Sequence, residues 1–127
     1  MATWDDVGSI AMALPETTQS DGRMMEWAVA GKMFTWERPL RKSDLRALGA
    51  AAPDGPILGV RVADEGVKFA LIADDPDVFF TTPHFDGYSA ILVRLDQISV
   101  ADLQELLVEA WLLRAPKKVA KTYLGGS

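Results

Sequence analysis

The sequence predicts an α+β fold: one domain in which helices pack on a mostly antiparallel sheet. Two patterns lead there. Apolar residues recur at helical spacing near both ends of the chain. Between them they form short runs parted by turn residues, an order that suits hairpins with segregated helices. The 127 residues fit a single domain spanning 1–127, and 49% hydrophobic against 24% charged content is ordinary for a globular chain. A domain of this size buries roughly two-thirds of its unfolded surface, enough for a core without staples.

The elements follow in order. Thr3 is placed to cap a first helix, with Asp6 in its first turn and an apolar stripe of Trp4, Val7, Ile10, Ala11 and Leu14; Pro15 ends it. The stretch from Pro15 to Gly22 reads as a loop. Met25, Trp27 and Val29 alternate with Glu26 and Ala28, and Lys32 to Arg38 returns as a second strand after the tight turn Ala30-Gly31. Ser43 is the expected cap of a short helix carrying Leu45 and Leu48. A second hairpin is expected to join Ile57–Val62 to Val67–Ala73 around Asp64-Glu65-Gly66. Asp75-Pro76 has the form of a cap followed by proline at a first helical position, so a short helix is expected there. Ser89 to Leu95 is a further strand. Ser99 then caps a long helix lined by Val100, Leu103, Leu106, Leu107, Ala110 and Trp111, which Pro116 interrupts before a last turn or two over Lys117–Leu124. The tryptophans fall on these apolar stripes and read as core.

Absent residue types exclude several chemistries. The chain has no cysteine, which removes disulfides, thiolate nucleophiles and soft-metal sites, and suits a reducing cytoplasm. The start, Met1-Ala2-Thr3-Trp4-Asp5-Asp6, is not a basic leader followed by an apolar run, and no apolar stretch has the length of a membrane span. His84 is the single histidine, so no zinc cluster of His/Cys type is expected, and Asp74-Asp75-Pro76-Asp77 lacks calcium-loop spacing. Those acids are explained without a ligand, as the favoured negative charge at a helix N-terminus. Gly31-Lys32 lacks the remainder of a phosphate loop and no GxGxxG occurs, so no cofactor is expected. His84 within Thr81–Tyr88 is the one candidate for a ligand-binding loop, with ordered loop packing as its plainer explanation. Eighteen acids offer many carboxylate pairs, and nothing singles out one as catalytic.

The net charge of −5 is unevenly placed. Lys32, Arg38, Arg41 and Lys42 crowd the first hairpin and its exit, and Lys117, Lys118 and Lys121 close the chain. Between them lies an acidic middle. The basic segments are the candidate DNA contacts, through the salt-sensitive, sequence-independent attraction of lysine and arginine for phosphate; solvated helix ends explain them equally without a ligand.

The helix ending in Leu14-Pro15-Glu16, the hairpin Trp27–Phe34 with its Gly31-Lys32 turn, the loop Thr82-Pro83-His84-Phe85, the strand Ala90–Leu95 and the closing helix before Pro116-Lys117-Lys118 together span nearly the whole chain. In their order and spacing they resemble the MmcQ/YjbR family, small bacterial proteins to which DNA binding is ascribed. The resemblance implies a fold similar to secretion chaperones, with two hairpins acting as wings on DNA. Carried onto this chain, the wings are the turns Ala30-Gly31-Lys32 and Asp64-Glu65-Gly66, the first with one base and the second with two acids. DNA binding, a protein-interaction module or homodimer, and small-ligand binding at the His84 loop are the three expectations. The first requires the two basic segments to converge on one face.

Overall fold

A computed structural model describes residues 1–125. The first helix, α1 (Trp4–Met12), begins as expected. The Asp6 amide donates to the Thr3 hydroxyl at 3.3 Å while the Thr3 amide donates to the Asp6 carboxylate at 2.9 Å, a reciprocal cap. The following stretch forms a strand, β1 (Thr17–Asp21), where a loop was expected. Its sequence, Thr-Thr-Gln-Ser-Asp, has no apolar face because it is an edge, paired only to β2 (Met25–Val29) and almost wholly exposed. Polar residues on such an edge discourage pairing with other chains.

β2 and β3 (Lys32–Glu37) form the expected hairpin. Ala30 at φ 49° and Gly31 at φ 82° give the turn two successive positive-φ residues, the geometry whose twist matches the strands. A bulge between Trp27 and Ala28 lets Phe34 and Thr35 both point toward the helices, so Trp36 faces the opposite side of the sheet. The next helix, α2 (Lys42–Leu48), starts one residue before the expected cap. Arg41 is the cap residue, and Asp44 accepts the Arg41 amide at 2.9 Å.

The larger departure follows β4 (Ile57–Arg61). The segment expected to return as a strand is instead a helix, α3 (Glu65–Asp74), and β4 pairs with β6 (Ala90–Arg94). Asp64 and Glu65 are not a hairpin tip. Asp64 is the N-cap, accepting the Val67 amide at 2.9 Å. Asp75 is therefore the C-terminal cap of α3, and Asp75-Pro76 opens a turn, not a helix. The turn leads to β5 (Phe79–Phe80), a two-residue edge strand beside β6. β4 and β5 run the same way on either side of β6, so the chain between them must cross over, and α3 is that crossover. The long helix α4 (Val100–Arg114) is capped by Ser99, and α5 (Lys117–Tyr123) folds back to set the Tyr123 ring 5.0 Å from that of Trp111.

The antiparallel sheet thus runs β1-β2-β3-β4-β6-β5. One face buries Trp27, Phe34, Leu58, Val60, Ile91 and Val93 beneath α1 and α4, which supply Val7, Ala11, Leu103, Leu107 and Trp111. The other carries Trp36, Ile57, Phe80 and Leu92, covered by Phe85 and by Leu40 and Leu48 around α2. Trp4 is only half-buried, while the other three tryptophans lie in the core. Gly59 sits opposite Trp36, and a Cβ there would fall 2.4 Å from the indole Cε2. Gly59→Ala should therefore expel the Trp36 ring and lose about 2–3 kcal/mol. Urea titration followed by tryptophan fluorescence checks this; an unchanged midpoint would show that the second face is loosely packed.

Candidate functional site

The chemistry-bearing side chains gather where α2, α3 and the 82–88 loop meet. Lys68, on the inward side of α3, is 0% exposed. Its ammonium donates to the Phe85 carbonyl at 2.7 Å and the Tyr88 carbonyl at 3.2 Å, and reaches the Glu65 carboxylate at 3.4 Å. Three donors thus meet three acceptors, which offsets the heavy desolvation of a buried cation. Two of the acceptors are backbone, so the lysine ties α3 to the loop.

A second buried cation contacts the same loop. Arg38, 4% exposed, donates to Asp44 Oδ2 at 3.0 Å and to the Pro39 carbonyl, and its guanidinium lies 5.1 Å from the centre of the Phe85 ring. Burial raises the pKa of Asp44, but the Arg41 amide, the Thr82 hydroxyl and the Arg38 charge together outweigh it, so the carboxyl titrates below its ordinary value. The geometry of that support is imperfect, since Asp44 Oδ1 and Thr82 Oγ1 are both buried without a well-formed hydrogen bond. Phe85 is consequently fixed by its ring and by its carbonyl. The loop around it is a platform pinned at Phe85, with Pro83, His84, Asp86 and Tyr88 facing out, and Arg61 stacks 5.4 Å from the centre of the Tyr88 ring.

His84 is exposed and touches the Phe85 ring edge-on, with centroids 5.0 Å apart. It joins no side-chain hydrogen bond among the described residues, and no three metal-ligating side chains approach one another there. Two open concavities are present. One, about 240 Å³, lies between Trp4, Leu40, Leu45, Pro53 and Ile57; the other, about 280 Å³, lies between Ile10, Leu14, Gln104, Val108 and Tyr123. His84 lines neither. Among the described residues, no helix is long and apolar enough to cross a membrane.

The expected DNA contacts are dispersed. Arg38 is removed from the set, because a guanidinium at 4% exposure and committed to Asp44 cannot reach a phosphate in the folded chain. The second wing does not exist, since its turn is the start of α3. Lys32 and the α5 lysines share one end of the sheet. There the Ala30 amide donates to the Glu16 carbonyl, and the Trp111 indole to the neighbouring Pro15 carbonyl. Arg41 and Lys42 are exposed at the opposite end of β3, beside α2. Apart from Lys32, the first basic segment therefore does not share a face with the second.

What sequence reasoning missed is α3. Its inward side carries Lys68 with Leu71 and Ile72, whereas its outward side carries Gly66, Val67, Phe69, Ala70 and Ala73, with Phe69 53% and Val67 40% exposed. Tyr88, 51% exposed, stands on the platform that Lys68 holds. One charge of the helix, Lys68, points inward beside Leu71 and Ile72, while Glu65 and Asp74 stay at the surface and Val67, Phe69, Ala70 and Ala73 face solvent. The signal available was Asp64 three residues before Val67, a cap spacing as well as a turn.

Comparison with known proteins agrees with the residue-level resemblance. Uncharacterised proteins Rv2570 of Mycobacterium tuberculosis and Mb2600 of Mycobacterium bovis are each 58% identical to this chain over 130 aligned residues, covering 100% of it and 99% of the relative. The crystal structure of Deinococcus radiodurans protein DR2400, a DUF419 domain, superposes with a TM-score of 0.68 over 98% of this chain and 89% of that one; at 21% identity it shows a shared fold. The YjbR family model matches residues 12–113, taking in every strand and the whole 82–88 platform. The chain belongs to the YjbR family.

Proposed function

We propose that this YjbR-family chain is a protein-interaction module whose contact surface is the outward side of α3 together with the 82–88 platform. The observation that carries this reading is the exposed strip of Val67, Phe69, Ala70 and Ala73 on α3. A helix left apolar toward water loses the stabilisation that burial would provide, and small soluble chains keep such surfaces mainly where something covers them. Phe69 and Tyr88 are the residue types that anchor interfaces, and the loop is pinned at Phe85 by the two buried cations, so less order is lost on binding. A reducing cytoplasmic setting in a bacterial cell suits a chain with no cysteine and with mycobacterial relatives.

The test is selection of helical peptides of unrestricted charge against the full chain, followed by mapping of perturbed amides. The expected shifts cluster at 66–74 and 84–88. Binders that map elsewhere, or no enrichment, would remove the reading.

A second reading, nucleic-acid contact, is favoured by one observation: Lys32 and the α5 residues Lys117, Lys118 and Lys121 share one end of the sheet. It predicts weak duplex binding that falls with salt and is lost in Lys117→Glu/Lys121→Glu. Absence of binding to generic duplex at low salt and micromolar protein would end it.

A further inference from the structure

The geometry points to a basic, amphipathic helical segment of another protein as the occupant of the α3 face. This inference rests on the interaction reading above and adds the partner's chemistry. Its first support is the rim. Between Arg61 and Tyr88 the chain carries Asp64, Glu65, Asp74, Asp75, Asp77 and Asp86, and the only lysine or arginine besides Arg61 is Lys68. Lys68 is buried, and Arg61 lies over the Tyr88 ring. Acids thus border the apolar strip of α3 at both ends, and Arg94, which donates to the Pro76 carbonyl at 3.1 Å, offsets part of that charge at the C-terminal end.

The second support is where those acids lie. Asp64 and Glu65 sit at the N-terminus of α3, where negative charge is favoured. Asp74, Asp75 and Asp77 cluster at its C-terminal end, against the helix dipole, with no basic residue in the last turn. Taken as the start of a helix, they needed no ligand; at the end of one, three acids oppose the dipole and the neighbouring Arg94 offsets only part of their charge. Lysines or arginines from a partner would neutralise that end. Gly66, Ala70 and Ala73 leave the middle of the face flat, allowing a second helix close approach, and Phe69 and Val67 flank it. A second copy of this chain is disfavoured, because two such faces would set acid against acid.

The probes are fluorescent peptides of about 18 residues. One carries leucine at helical i, i+3, i+4 spacing with lysine elsewhere, one replaces lysine by glutamate, and one scrambles the leucine–lysine order. The patterned basic peptide should bind the full chain at least about tenfold more tightly than either control, and Ala70→Arg should weaken it by a similar factor. Asp74→Lys should weaken binding while raising the thermal midpoint, opposite signs that a purely structural role for Asp74 would not produce. All substituted positions are exposed, so far-UV circular dichroism should be unchanged. If the glutamate peptide binds equally and Ala70→Arg abolishes both, the charge inference is wrong and the α3 reading stands. If the scrambled peptide binds as well, or Ala70→Arg has no effect, both fall. Self-association that Ala70→Arg abolishes would place a second copy on the face and overturn the inference.

Discussion

Lys68→Met should lose about 3–5 kcal/mol of folding stability, much of what a domain of this size has to lose. Methionine fills the space of the lysine stem, so packing is nearly kept and the loss is polar. The Phe85 and Tyr88 carbonyls, now held at 2.7 and 3.2 Å, would lose their charged donor and keep one backbone donor each, the Tyr88 amide at 2.9 Å and the Ala90 amide at 2.8 Å. Each hydrogen bond to a charged group contributes about 1.5–3 kcal/mol. The platform should loosen before the chain unfolds. Amide exchange at 82–88 should accelerate more than exchange in α4, whose contacts lie on the other side of the sheet. Denaturant unfolding gives the first number and residue-resolved exchange the second. A loss under about 1 kcal/mol would mean that the backbone donors alone satisfy those carbonyls.

Asp44→Ala should be comparably severe, because it leaves Arg38 charged and enclosed. Removing one partner of a buried pair costs about 3–5 kcal/mol, far more than the pair contributes against an apolar substitute. Changing Arg38 and Asp44 together to leucine should accordingly recover part of the loss. The pH dependence has a definite sign. The Asp44 carboxyl titrates below its ordinary value of 3.8 in the folded chain, so it binds protons less readily folded than unfolded. Its contribution is complete above that ordinary value and disappears as pH falls from there through the depressed folded value. The stability difference between the native chain and Asp44→Ala should shrink on acidification across that window. A constant difference would place the effect in packing rather than charge.

These residues show which parts of the molecule were legible before the structure. The cap at Thr3, the cap at Ser99 and the turn at Ala30-Gly31 are decided within a few residues, by a side-chain oxygen or a positive φ. Each was readable. β1 was not, because a polar edge strand has no apolar period and exists only through pairing with β2. In Val67–Ala73, Val67, Phe69, Leu71 and Ala73 alternate as in a strand. The helix instead turns Lys68 toward backbone partners that lie 17 and 20 residues ahead in the chain, which periodicity cannot see. Arg38 was read as surface charge for the same reason: its fate depends on Asp44 and Phe85, which periodicity cannot place. The family was legible from the Gly-Lys turn and the Pro-His-Phe loop. The structure shows that loop anchored by two cations, neither of which had been assigned to it.

The burial of Lys68 on the inward side of α3, with Val67 and Phe69 left exposed, is the claim on which both the platform and the proposed partner depend. Timed acylation of lysine amines in the folded chain, with modified positions identified by mass spectrometry, tests it most directly. Lys32, Lys42, Lys117, Lys118 and Lys121 are exposed and should react quickly, whereas Lys68, at 0% exposure, should react only at the rate of unfolding. Modification of Lys68 as fast as Lys42 in the folded protein would contradict the account.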